Sequence, residues 1–202
     1  MDPRNILSVS QVYQAFQRSG GFFGARLEAL DRYLTIADGE TVVDVGCGPG
    51  YLLDHLPGSC RYFGFDTDAG YIEHARKKGA GNAEFELGIF DAAAAARVAP
   101  ADVILMTGLL HHLTDAEARD LLAVSWETLR PGGRLLTLDG CYRPDQSLFK
   151  RKLLDWDRGE YVRTEEAYRA LFPSGFELDA HVDEDMSRIP YTFITIVATR
   201  PQ

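Results

Sequence analysis

Along the first 35 residues apolar side chains recur three and four apart, at Val12, Phe16, Leu27, Leu30 and Leu34. That spacing puts them on one helical face and predicts helix over residues 5–35. Ser19-Gly20-Gly21 cuts the stretch in two, and Asp38-Gly39-Glu40 predicts a turn. From residue 41 the period shortens. Residues 41–45, Thr-Val-Val-Asp-Val, are a β-branched run that reads as a buried strand. Further strands are expected at 62–65, 83–87, 102–106 and 134–139. They alternate with helical stretches at 51–56, 67–78, 92–96 and 114–129. Thr114-Asp115-Ala116-Glu117 is a capping box for the last of these helices, and Arg130-Pro131-Gly132-Gly133 stops it. Such alternation predicts βαβ units: an α/β, Rossmann-like doubly wound sheet with helices on both faces. Beyond residue 140 the pattern loosens. Residues 141–163 are polar and aromatic, 164–172 read as a helix, and 176–182 and 191–199 as the last two strands.

Composition narrows the possibilities. A chain of 202 residues, 46% hydrophobic and 25% charged, suits one folded domain with its own core. Lys plus Arg is 21 and Asp plus Glu is 30, a net charge of −9 that lacks the basic footprint of a nucleic-acid binder. Nucleic acid is therefore not an expected partner. Cys47, Cys60 and Cys141 show no metal-ligand spacing, so no metal site is expected, and a reduced, cytoplasmic location is the simplest setting. The first residues precede no long apolar run of the signal-peptide kind, and no segment approaches the roughly 18–20 apolar residues of a membrane span.

The strongest local signal is Val42-Val43-Asp44-Val45-Gly46-Cys47-Gly48-Pro49-Gly50-Tyr51, a strand running into glycines and then a helix. Glycines let a ligand approach the backbone, and free N–H groups at a helix start favour an anion. A dinucleotide fingerprint would carry its third glycine where Tyr51 stands; here that glycine comes one residue early, at Gly50. The second strand ends in Gly64-Phe65-Asp66, 22 residues beyond Asp44, where a carboxylate can accept both ribose hydroxyls. The third leads to Gly88-Ile89-Phe90-Asp91, an aromatic to cover a purine face and an acid to accept its exocyclic amine.

Together with D-V-I-L-M-T-G-L-L-H-H-L and L-R-P-G-G-R-L-L-T-L-D, these segments resemble the class I S-adenosylmethionine-dependent methyltransferases, by motif over roughly residues 38–140. The resemblance implies a seven-stranded, mostly parallel sheet whose last strand runs antiparallel between the fifth and sixth. It implies S-adenosyl-L-methionine as cofactor. Asp44 and Gly46 would sit at its amino-acid end, with Gly48 and Gly50 lining its path. Asp66 would hold the ribose, and Phe90 and Asp91 would flank the adenine. Thr107 and Gly108 would lie near the methionine portion.

A sulfonium methyl is already activated, so the protein contributes mainly orientation and the exclusion of water. A base is needed only where the acceptor must lose a proton. His111 falls where some small-molecule O-methyltransferases with an L-H-D-W segment place a catalytic histidine, and His112 stands where that segment has Asp. The expected acceptor is a small molecule, methylated on oxygen. Its pocket is expected from Tyr13, Phe16, Arg18, Phe22, Phe23 and Arg26 on one side and Tyr142, Arg143, Trp156, Arg158, Tyr161 and Arg163 on the other. The chain divides as an N-terminal helical lid (1–37), a cofactor-binding core (38–140), a substrate-side insertion (141–175) and a terminal strand pair (176–202). Two alternatives stay open: a non-catalytic cofactor-binding or scaffold protein of the same fold, and a nicotinamide-dependent oxidoreductase, against which Tyr51 argues.

Overall fold

The computed structural model describes residues 21–79, 81–156 and 159–202. The expected first helical piece, with Val12, Tyr13, Phe16 and Arg18, and the pocket candidate Arg158 lie outside the described residues. Helix α1 (Phe22–Tyr33) starts directly after Gly21, at the expected break, and buries Ala25, Ala29 and Leu30.

Strands β1 (Thr41–Val45), β2 (Arg61–Asp66), β3 (Ala83–Leu87), β4 (Ala101–Thr107) and β5 (Leu129–Tyr142) pair in parallel. Strand β6 (Arg163–Thr164) adds a short parallel pairing to the end of β5. Strands β7 (Glu177–Asp183) and β8 (Phe193–Thr199) are antiparallel to each other, and β8 is antiparallel to β5. The order is β3-β2-β1-β4-β5-β8-β7, so the last strand lies between the fifth and its own hairpin partner. The chain leaves β1 in one direction toward β3 and in the other toward β5. The crevice beyond the carboxyl ends of β1 and β4 is therefore the switch point where such sheets bind ligands.

Two cores flank the sheet. Alternate residues of β4 point into each: Ile104 and Met106 into one, Val103 and Leu105 into the other, all fully buried. Strands buried on both faces are continuously apolar, which is why β4 reads as an unbroken hydrophobic run. Helices α3 (Ala92–Val98) and α4 (Asp115–Thr128) cover the first face. Helices α1 and α2 (Ala69–Lys78) cover the second, with Leu154 of α5 (Leu148–Asp155). The capping box forms as the sequence predicts: Thr114 Oγ1 accepts from the Glu117 N–H at 3.3 Å, and Glu117 Oε2 accepts from the Thr114 N–H at 2.9 Å.

Three elements differ from expectation. Residues 51–56 give a 3-10 turn over Tyr51–His55 rather than an α-helix. Strand β5 reaches from Leu129 to Tyr142, because Leu129 already pairs with Ala101 and Gly140 still pairs with Phe193. The loosened region holds α5, capped by Ser147, and β6 before helix α6 (Glu165–Arg169). The Lys150-Arg151-Lys152 run is part of α5, and Lys150 pairs with Glu184.

Candidate active site

The glycine loop is pinned to the second strand. The N–H groups of Gly46 and Cys47 both donate to the Phe65 carbonyl, at 2.8 and 3.0 Å. The Gly48 N–H donates to Asp66 Oδ2 at 2.8 Å, and the Asp68 N–H donates to Asp66 Oδ1 at 2.8 Å. Each oxygen of Asp66 thus holds one backbone group and keeps acceptor capacity, since a carboxylate has about four lone-pair sites. Gly50 closes the loop at φ +73°, a conformation other residues rarely adopt. A Cβ there would stand 3.0 Å from the Phe85 ring and 3.2 Å from the Ala75 methyl. Cys47 is buried, and that burial pushes its thiol far up, so it packs as an inert apolar residue.

A cavity of about 1040 Å³ opens above these strand ends. Of the expected cofactor residues, Gly46, Gly48, Asp66, Phe90, Asp91 and Thr107 all line it. Asp91 also caps α3, its Oδ1 accepting from the Ala94 N–H at 2.8 Å. Phe90 is buried against Phe65, ring centres 5.0 Å apart. The other two stand behind the lining. Gly50 shapes the loop from below. Asp44 is 1% exposed, with Tyr62 Oη donating to its Oδ2 at 2.5 Å, while its Oδ1 finds no hydrogen-bond partner among the described residues. Burial pushes the Asp44 carboxyl up to about 6, and the Tyr62 hydroxyl and the Arg26 charge act against that rise.

The cavity has walls that the motifs do not announce. Phe23 and Arg26 of α1 line it, whereas Phe22 packs against Tyr191 and Phe193. Tyr51, Tyr71 and Ile89 join the lining. Ile89 is 69% exposed, an apolar side chain left open at the mouth beside Phe90. Its signal in the sequence is an apolar residue between the turn glycine Gly88 and the buried Phe90.

The histidines are the main departure. Leu110–His112 form a 3-10 turn, in which successive side chains point about 120° apart. His112 therefore faces the cavity and is exposed, whereas His111 turns inward, is 6% exposed and lies outside the lining. Buried Asp139 holds His111 twice: its Oδ1 lies 2.7 Å from His111 Nδ1 and accepts from the His111 N–H at 3.1 Å. The two imidazoles touch, ring centres 4.2 Å apart. Sequence reasoning missed Asp139 as a partner; its signal was a lone carboxylate ending the apolar run Leu135-Leu136-Thr137-Leu138.

Among the described residues, none of the expected acceptor side chains of the later segment lines this cavity. Arg143 is held by Asp145, with two contacts of 2.9 Å. Arg163 is 8% exposed and is spent on the backbone of the histidine turn. Tyr142 Oη donates to Asp155 at 2.6 Å, and Trp156 is 58% exposed.

The site is an open α/β sheet with a glycine loop, a carboxylate at the end of the second strand and a cavity of about 1040 Å³ at the switch point. Residues 42–133 match the model of a methyltransferase domain. An uncharacterized methyltransferase of Geobacillus kaustophilus is 33% identical over 127 residues, 61% of this chain and 58% of that protein. The match thus spans less than two thirds of the relative's length. One chain of the complex between the Haloferax volcanii Trm112 methyltransferase activator and a methyltransferase superposes with a TM-score of 0.72 at 18% identity, covering 100% of this chain and 99% of that one. Human N-acetylserotonin methyltransferase in complex with S-adenosylmethionine superposes at 0.66 with 22% identity, covering 95% of this chain and 55% of that one. These two likenesses carry the fold. Residues 42–133 thus resemble a methyltransferase domain, and the chain shares its fold with S-adenosylmethionine-dependent methyltransferases, whose cofactor is S-adenosylmethionine.

Proposed function

We propose that the protein moves the methyl group of S-adenosylmethionine to an oxygen of a small-molecule acceptor by in-line displacement. The observation that carries this reading is the convergence of Gly46, Gly48, Asp66, Phe90, Asp91 and Thr107 on one cavity of about 1040 Å³. The fit to the cofactor is supported by the unpartnered buried oxygen of Asp44 and by Gly48, where a Cβ would meet nothing within 4 Å. In this reading Asp66 takes the ribose hydroxyls, Phe90, Ile89 and Asp91 frame the adenine, and Gly46, Gly48 and Thr107 border the methionine portion. Asp44 supplies negative charge behind the ammonium end, and Gly50 keeps the loop in shape. The bound cofactor supplies an electrophilic methyl carried on a positive sulfur.

The protein's own share is orientation and proton handling. His112 faces the cavity and His111 backs it, held by Asp139, so the pair is the proposed base. An Asp hydrogen-bonded to Nδ1 fixes an imidazole's tautomer and orientation, so Asp139 would hold His111 in place behind His112, which faces the cavity. The N-terminal lid (1–37), core (38–140), insertion (141–175) and terminal strands (176–202) are the proposed working parts, and the cytoplasm the proposed location. No helix among the described residues is long and apolar enough to cross a membrane.

The test is methyl transfer from methyl-labelled S-adenosylmethionine to a panel of hydroxylated small molecules. Label in an ether product that falls on His112→Gln supports the reading. A protein that binds the cofactor but methylates nothing across hydroxyl, amine and carbon acceptors is a scaffold instead.

A further inference from the structure

Arg163 stands about 50 residues downstream of the histidine turn, on the two-residue strand β6, yet its guanidinium belongs to that turn. Its Nη1 donates to the Leu110 carbonyl at 2.8 Å and its Nη2 to the Leu113 carbonyl at 2.6 Å, bracketing the turn at both ends. Nε donates to Asp115 Oδ1 at 2.9 Å, at the start of α4, and Nη1 also donates to the Tyr161 carbonyl at 2.8 Å. Four bonds go to one short stretch of backbone and its neighbours. The Leu110 carbonyl already accepts from the Leu113 N–H at 3.2 Å, so Arg163 reinforces the bond that closes the turn.

The choice of residue is informative. A buried guanidinium carries a desolvation cost that an apolar side chain of similar size would not, so mere packing does not call for one. Only a planar fork reaches two carbonyls and a carboxylate at once; a lysine ammonium is a single point. On the opposite side of the turn, Asp139 grips His111 by both its backbone N–H and its ring. These two charges hold the stretch that gives the cavity Leu109, His112 and Leu113.

We propose that Arg163 is a positioning residue of the active site: from the insertion, through the Leu110–Leu113 turn, it sets where His112 and Leu113 stand in the cavity. The inference rests on the methyltransferase reading above. It gives the insertion a task at the site, and it moves Arg163 from substrate contact to the support of the wall.

The experiment compares wild type, Arg163→Lys and Asp115→Asn by calorimetric titration with S-adenosylhomocysteine and by NMR titration of the imidazole rings against pH, with circular dichroism as the check on folding. The expected result for folded Arg163→Lys is a loss of affinity of about tenfold and a shifted His112 titration; a purely stabilising arginine would lower the melting temperature and leave both unmoved. Folded Arg163→Lys with wild-type affinity and superimposable titrations overturns the proposal. Should Arg163→Lys not fold, Asp115→Asn carries the test in 0.5 M salt, which screens the lost charge. A two- to threefold loss with a His112 shift in the same variant supports the proposal, and no change overturns it. Wild type that fails to bind S-adenosylhomocysteine takes down the methyltransferase reading itself, and this inference with it.

Discussion

The two walls of the crevice are built by different means. The wall of Gly46, Gly48 and Asp66 is held by its immediate neighbour in the sheet: Gly48 and Asp66, 18 residues apart, are joined directly. The wall of Leu109, His112 and Leu113 is held from Asp139, 28 residues from His111, and from Arg163, 53 residues from Leu110. One wall is a motif whose parts stabilise each other. The other is a turn closed by two backbone bonds of its own and held as well by buried charges that come from far along the chain. A short-range wall tolerates change elsewhere in the chain; a long-range wall transmits it.

The sharpest way to break this contrast is on the cofactor side. Asp66→Ala removes the acceptor for two backbone N–H groups and, in the proposed reading, for the ribose. Bonds to a charged group contribute about 1.5–3 kcal/mol each, so S-adenosylhomocysteine affinity should fall about 100-fold or more in calorimetry. Unchanged affinity would remove Asp66 from the site.

A second prediction uses acidity. Burial lifts the Asp44 carboxyl to about 6, above the roughly 3.9 of an unfolded chain. Between these values the folded form holds a proton that the unfolded form does not, so Asp44's contribution to the free protein's stability rises as pH falls from about 6 toward 4. Cofactor affinity moves the opposite way. In the proposed reading protonation removes the anion behind the ammonium end, and binding should weaken by up to tenfold per pH unit below about 6. Asp44→Asn should flatten both dependences, as read by thermal melts and titrations between pH 4 and 7; unaltered profiles would show that another group sets them.

The third prediction probes the long-range wall. Gly159 lies flat against His111: a Cβ there would collide with the ring Cδ2, 2.8 Å from Cγ and 2.9 Å from the His111 carbonyl oxygen. Gly159→Ala should cost about 1–3 kcal/mol by overpacking, seen as a lowered midpoint in denaturant. The amide resonances of Gly46 and Gly48 should stay in place while those of Leu110 to Leu113 move. Equal movement of both sets would erase the distinction between the walls. The smallest effect is expected for Thr114→Ala, which removes the cap of α4 and should cost about 1 kcal/mol of stability, with cofactor affinity unchanged.

This contrast also explains what the sequence could tell. The convergence of Gly46, Gly48 and Asp66 was legible because each piece sits within a short window: strand, glycines and turn in ten residues, then a carboxylate at the next strand end. The sheet order was legible through the resemblance and through alternation. The inward turn of His111 was not, since its cause is Asp139, and no local pattern links the two. Arg163 looked like a substrate arginine because its residue type does not reveal that backbone carbonyls would saturate it. Helix α5 hid in a region without clean periodicity; of its residues only Leu154 is fully buried, and Leu148 and Phe149 are exposed. Strand β6 has only two residues, too short for any period to register.

The position of β8 has a consequence for how the protein is made. This strand pairs with β5 on one side and β7 on the other, and all seven of its residues pair with both. On the ribosome, every earlier strand can emerge and associate while β5 still shows an open edge in the middle of the finished order. A nascent chain that has not reached Thr199 carries that unsatisfied seam, a template for pairing with another polypeptide. Emergence of the hairpin of β7 and β8 is what seals it, so the nascent chain's exposure to chaperones and to misassembly is decided by when residues 177–199 appear.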